Sequence, residues 1–274
     1  MDVFKATIVH SLDSQELEVF DPGYLGVSEN GRICYLEKSP PLAKHRLHDY
    51  TGRMLIPGLV DCHTHLPQYA FAGIGDLELL PWLNRYTFPH EARFKEDDIA
   101  LEESANFFRS CLAHGTTTVV AYATVHTSAT SIAFQKAEKA GIRAFIGKVL
   151  MNQNAPPSLL EDTDSAMKGC EELVNRWHNR GLLQFIVSPR FAVSCDEKLL
   201  TAAGEFSRRN DLWLQTHLSE NKEEIKTVGR LFPGSKITPT PTSKRAVFMR
   251  KPCLGIAYIS MKPKLNRSSL SHQR

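Results

Sequence analysis

The chain is 274 residues long, 42% hydrophobic and 23% charged, with a net charge of +3. Such a composition suits a globular protein with a sizeable core, and the lack of any apolar run of 18 residues or more argues against a membrane span. Residues 1–6 do not show the basic-then-apolar order of a secretion signal, so a cytoplasmic address is expected.

Six cysteines, Cys34, Cys62, Cys111, Cys170, Cys195 and Cys253, are scattered and form no Cys-x-x-Cys pair. They read as reduced thiols rather than a disulfide frame. Charge is uneven along the chain: residues 225–274 hold 11 Lys or Arg and no Asp or Glu, which leaves −8 on the first 224 residues. A basic stretch can attract nucleic acid or anionic lipid. Nothing else in the sequence resembles nucleic-acid readout, and neither nucleic acid nor membrane is expected as a partner.

Residues 1–56 predict a small N-terminal β-module. Asn30-Gly31 lies between two apolar-rich runs within 24–36, a hairpin signal in which both turn residues take positive φ. From Ile56 the texture changes to alternating strands and helices. A short buried strand is expected over 59–65. A helix over 95–114 follows, with Asp97 and Asp98 near its start and Gly115 at its end. Next come a strand over 116–123, a helix near 128–140 stopped by Gly141, and a strand over 142–150. Met167, Cys170, Leu173, Val174 and Trp177 recur at helical spacing and mark a core face. A fourth strand is expected over 185–191, and Ser194 with Glu197 predicts a capping-box start for the helix after it. A fifth strand over 212–217 and a helix over 219–231 complete the pattern. Five alternations predict an α/β fold with a parallel sheet, either doubly wound or a partial (β/α) barrel. Beyond Lys236 the stretch 238–245 shows neither period.

Chemistry concentrates in two places. In 57–65, Pro-Gly-Leu-Val-Asp-Cys-His-Thr-His, alternation along a strand points His63 and His65 the same way. Two imidazoles on one face can take adjacent positions around one metal ion, and zinc accepts neutral imidazole nitrogen. In 212–220 His217 ends another apolar strand, where parallel α/β folds collect active-site groups. Glu220 then falls in the first turn of the next helix. There a carboxylate can reach a metal-bound water as general acid/base, and it equally suits the helix dipole.

Together these segments resemble the amidohydrolase superfamily, and within it the guanine deaminase branch, over about residues 3–236. The resemblance covers 57–65, 68–73, 82–89, 115–118, 123–127, 188–191 and 216–221. Tyr86-Thr87-Phe88-Pro89 and Pro189-Arg190-Phe191 belong to that branch, whereas the His-x-His and the later His belong to the whole superfamily.

The resemblance implies a partial (β/α)8 TIM-type barrel of about five βα units over 57–236, with 1–56 as half of a composite β-sandwich. It implies zinc held by His63, His65 and His217, and Glu220 as the proton shuttle. It further implies that Gln68 reads the purine edge, Arg190 holds the ring carbonyl and Phe191 packs beside the base. The implied substrate is guanine, converted to xanthine and ammonia, and the implied assembly is a homodimer. His126 also lies in a matching segment; a loop hydrogen bond is expected of it rather than a role in chemistry.

Members of the family use a further His and an Asp from later strands. After Lys236 the sequence holds only His272 and no Asp. Residues 237–274 are therefore expected to be a divergent, disordered basic tail. Five strands alone would leave unpaired sheet edges, and the chain is expected to be weakly active or inactive. Two alternatives stand beside this reading. One is a non-catalytic protein that binds a full-length subunit or an acidic partner. The other is an amidohydrolase acting on another amino-substituted ring. A two-metal site bridged by a carboxylated lysine is not expected, because 186–189 contains no Lys.

Overall fold

The computed structural model describes residues 1–13 and 16–233, together with the backbone of 252–255. The chain divides into two compact units, Met1–Leu59 and a second that begins at Val60.

The first unit is a four-stranded sheet built from β1 (Asp2–Ser11), β2 (Leu17–Val27), β3 (Ile33–Glu37) and β4 (Arg46–Leu55), in the order β3-β2-β1-β4. β1 pairs antiparallel with β2 and parallel with β4, and β2 pairs antiparallel with β3. Ala6, Ile8 and Phe20 form its small core. The hairpin predicted around Asn30-Gly31 forms, but only Gly31, at φ +75°, enters the left-handed region. Ser28 O accepts from Gly31 N and Ser28 N donates to Arg32 O, both at 2.9 Å. The connection is thus longer than a two-residue turn, and one glycine at its end suffices.

In the second unit, all five predicted parallel strands form and curl into part of a (β/α)8-type barrel. They are β5 (Leu59–His65), β6 (Thr116–Tyr122), β7 (Arg143–Gly147) continued by β8 (Val149–Leu150), β9 (Leu183–Pro189) and β10 (Trp213–His217). The helices between and after them are α1 (Asp97–Ala113), α2 (Thr127–Ala140), α3 (Thr163–Trp177), α4 (Glu197–Arg209) and α5 (Lys222–Leu231). The sheet order is β11-β10-β9-β7-β6-β5, where β11 is Pro252–Gly255. β11 pairs in parallel with β10, from Leu214↔Pro252 to His217↔Gly255. An additional strand therefore lies beside the edge expected to be free. The rest of the tail expected over 237–274, including 238–245 and His272, lies outside the described residues.

Apolar β-branched runs, buried on both faces, suit parallel strands covered by helices. Val119, Val120, Phe185, Ile186 and Val187 are accordingly buried. Cys170, Leu173 and Trp177 of the predicted α3 face are buried, with Met167 and Val174 packed against them. Phe134 of α2 stacks on Trp177 with centroids 5.6 Å apart, and Trp177 Nε1 donates to Ser131 Oγ at 3.0 Å.

Three local expectations are corrected. β5 was expected to be buried, yet Leu59 and Val60 are 52% and 60% exposed, because β5 is the outer strand of the sheet. α4 is capped by Asp196, whose Oδ1 accepts from Leu199 N at 2.8 Å. The hydroxyl of Ser194, the predicted cap, instead donates to Phe191 O. α5 starts at Lys222 behind Asn221, so Glu220 precedes the helix rather than occupying its first turn. Among the described residues no helix is long and apolar enough to cross a membrane.

Candidate metal and substrate site

Strand ends bring together the histidines that the sequence separates. His63 and His65 lie in the last turn of the pleat of β5, and His217 ends β10. One nitrogen from each ring lies within 4.8 Å of the others. His65 Nε2 and His217 Nε2 face each other at 2.9 Å, and the His63 ring centre is 4.9 Å from that of His217. Two nitrogens so close can share a proton or aim their lone pairs at one cation. Tyr122, at the end of β6, stacks on His65 at 4.5 Å with 7° between planes and lies 4.6 Å from His217. It backs both rings.

The donor chemistry fits a metal ion. His217 Nδ1 lies 2.8 Å from Arg190 O. A carbonyl only accepts, so this contact assigns the proton to Nδ1 and leaves the Nε2 lone pair for a ligand. Burial lowers the pKa of His63, opposed by the charge of Asp61. Burial, then the charges of His217, Arg190 and His63, holds His65 well below its ordinary value. His217 is lowered to about 3, first by burial and then by His63. Neutral imidazole is the form that ligates. The Nδ1 atoms of His63 and His65 are buried with no hydrogen-bond partner among the described residues, a costly condition for a ring nitrogen.

A pocket of about 160 Å³ opens beside the triad and is also lined by Gln68, Arg190, Phe191, Glu220, Leu79, Trp82 and Leu83. For scale, a buried cavity of about 150 Å³ holds a benzene ring. Every site residue predicted from sequence thus reaches one pocket. Gln68 comes from the 3-10 turn Leu66–Phe71 directly after β5. Arg190 and Phe191 follow β9 and are 2% and 3% exposed. Arg190 Nη1 donates to Glu91 Oε2 at 2.7 Å, and its guanidinium lies over the Phe88 ring at 5.4 Å.

Glu220 is carried on a loop with its own scaffold. Ser219 adopts φ +56°. The Glu224 carboxylate accepts from Ser219 N at 3.2 Å, Glu220 N at 2.6 Å and Asn221 N at 3.2 Å. Burial raises the pKa of Glu220, the charge of Glu224 raises it further, and Arg190 opposes both. A carboxyl group biased toward holding its proton is suited to proton transfer near neutrality. His126 does not line this pocket; its Nε2 is buried without a hydrogen-bond partner among the described residues, so the expected loop hydrogen bond is not made by that atom.

The family model described as "Amidohydrolase family" matches residues 54–259, well over half of the chain. The chain belongs to the amidohydrolase family. This amidohydrolase is 41% identical to the guanine deaminase of Rattus norvegicus over 248 residues, covering 85% of the chain and 55% of that protein. It is 40% identical to the guanine deaminase of Escherichia coli (strain K12) over 189 residues, covering 69% of the chain and 43% of that protein. Among solved structures it matches guanine deaminase from C. acetobutylicum with bound guanine in the active site. That match has a TM-score of 0.85 and 33% identity, over 92% of this chain and 61% of the other. The chain spans about half the length of the curated relatives it matches.

Sequence reasoning missed Glu91, Glu224, Tyr122 and Leu79, and gave no role to Trp82 and Leu83 although both lie in a matching segment. Glu91 left one readable trace. A carboxylate three residues after Phe88 shares its helix face and needs a partner if that face is buried. Its partner lies 99 residues away, beyond any local pattern.

Proposed function

We propose that this site hydrolyses guanine to xanthine and ammonia, with zinc held by His63, His65 and His217. The observation that carries the reading is the convergence, on one pocket, of three neutral imidazoles with Glu220, Gln68 and Arg190. Its likeness to guanine deaminases supports the choice of ring.

When bound, zinc supplies the Lewis acidity that makes water a nucleophile near neutral pH. Three imidazoles with one position left open are the donor set of catalytic zinc sites. Glu220 takes one proton from the attacking water and passes it to the ring, then takes the remaining proton of the added hydroxyl and passes it to the departing nitrogen. Water adds at the amino-bearing carbon, the carbon–nitrogen bond breaks and ammonia leaves. Gln68 both donates and accepts, and so reads a purine edge. Arg190 offers a planar donor fork to the ring carbonyl, and Phe191 packs against the face of the base. The walls Leu79, Trp82 and Leu83 shield the ring from water.

Metal analysis combined with an assay for xanthine tests the reading. The purified chain should hold about one zinc and form xanthine and ammonia in equal amounts. Glu220→Gln should keep the zinc and lose the product. A chain that binds no zinc, or a zinc-loaded chain that makes no xanthine above the metal-free control, sinks it.

A further inference from the structure

Residues 79–92 coil as three short pieces instead of one helix: Leu79–Trp82 is α, Leu83–Thr87 is a π turn and Phe88–Ala92 is α again. A π turn shifts the angular position of everything after it, and such turns are frequent at functional sites. Here Leu79, Trp82 and Leu83 line the pocket, while Phe88 and Glu91 meet Arg190. Phe88 and Glu91 are three residues apart and so share a helix face.

Arg190 comes to that face from the end of β9. Its side chain is 3% exposed and that of Glu91 is 1% exposed, so neither charge reaches bulk water. Glu91 stands behind the guanidinium, outside the set of side chains that line the pocket. A guanidinium carries its five N–H groups in a rigid plane. Holding one terminal nitrogen at 2.7 Å and one face over an aromatic ring therefore sets where the remaining N–H groups point. Glu91 also places a buried negative charge 2.7 Å from the guanidinium that lies near His63, His65 and His217. Among the described residues that line this pocket Arg190 carries the guanidinium, and Glu91 holds it.

We propose that Glu91 is a specificity-determining positioning residue: through its grip on Arg190 it sets the chain's preference for purines that carry a ring carbonyl over the same ring without that oxygen. The proposal rests on the deaminase reading above. Glu91 touches no substrate; it acts through the plane of the Arg190 fork.

The test compares binding of guanine with binding of 2-aminopurine, the same amino-substituted ring lacking the carbonyl, to the zinc-loaded chain by calorimetry. The wild-type chain should prefer guanine. Glu91→Gln, neutral and nearly isosteric, should weaken guanine at least roughly tenfold and leave 2-aminopurine within about twofold, because only the carbonyl contact is misaligned. Breaking a buried pair at one end can unfold a protein, so a second comparison uses Arg190→Met with and without Glu91→Gln. With the fork gone, Glu91→Gln should no longer change the ratio of the two affinities. An equal loss for both ligands overturns the proposal, as does a retained preference in Glu91→Gln or a ratio that still moves in the Arg190→Met background. A wild-type chain that binds neither purine brings down the deaminase reading first and this inference with it, and that result is visible before any substitution is made.

Discussion

The Nδ1 atom of His217 lies 2.8 Å from the main-chain carbonyl oxygen of Arg190, whose side chain faces the pocket. The same carbonyl accepts from the His217 amide at 2.9 Å. His217 and Arg190, the proposed metal ligand and substrate-binding arginine, are therefore coupled through backbone, and substituting the arginine side chain leaves that coupling in place. Arg190→Met, combined with Glu91→Gln so that no carboxylate stays buried without its partner, should keep about one zinc per chain and bind guanine more weakly. Metal analysis alongside calorimetry checks this. Loss of zinc in the double variant would show that the guanidinium, and not the carbonyl, supports the metal site.

Glu220 works against the fold that holds it. Its pKa is raised above the ordinary 4.5, by burial first and the charge of Glu224 second. A carboxyl group with a raised folded pKa binds its proton more tightly in the native state, so the native state loses stability as pH climbs from the unfolded value through the folded one. Below the unfolded value the penalty is absent. In the metal-free chain Glu220→Gln should therefore raise Tm at about pH 7 and change it little at about pH 4. Thermal unfolding at both pH values decides the matter; an equal gain at each would mean that charge is not the cause.

What could be read in advance was local. Alternation along β5 put His63 and His65 on one side, and the apolar run before His217 marked a strand end; that the three belong to one site was implied by the family resemblance. Position relative to helix starts was harder. Ser194 and Ser219 are good caps by type, yet Asp196 and Asn221 took those roles, since several polar residues in a row each suit a cap. The left-handed turn at Ser219 that lifts Glu220 out of α5 has no signature in a non-glycine residue. Glu91 with Arg190, and Tyr122 against His65, are pairings across strands and long separations, which no period along the chain reports.

Two glycines six residues apart, one at a helix end and one at a strand end, should respond differently to alanine. Gly141 ends α2 at φ +72° with open space where a Cβ would sit, so Gly141→Ala carries only left-handed backbone strain, about 1–2 kcal/mol. At Gly147 an added Cβ would lie 1.7 Å from Ser188 Oγ and 2.5 Å from the Ile186 carbonyl oxygen. A rotated serine relieves the first clash but not the second, which is backbone of the paired strand β9. Gly147→Ala should cost more than about 3 kcal/mol, beyond ordinary overpacking. Urea midpoints of the two variants give the comparison, and similar midpoints would refute it.

Glu224 shows how one carboxylate can serve both a helix and the residue in front of it. With Asn221 it forms a capping box for α5, a device whose loss typically costs about 1 kcal/mol. The box needs only the Asn221 amide, yet the same carboxylate also takes the amides of Ser219 and Glu220. Gln at this position keeps one acceptor oxygen and turns an N–H toward the other amides, so the loop carrying Glu220 loses part of its scaffold while the histidines keep theirs. Glu224→Gln should lower Tm modestly, leave zinc content and guanine affinity unchanged, and reduce turnover at least roughly tenfold, since small displacements of a catalytic group are expensive. Calorimetry and turnover measured on the same zinc-loaded sample separate the two roles. If stability falls while turnover per bound zinc stays at the wild-type level, Glu224 is a helix cap and the extra amides do not govern Glu220.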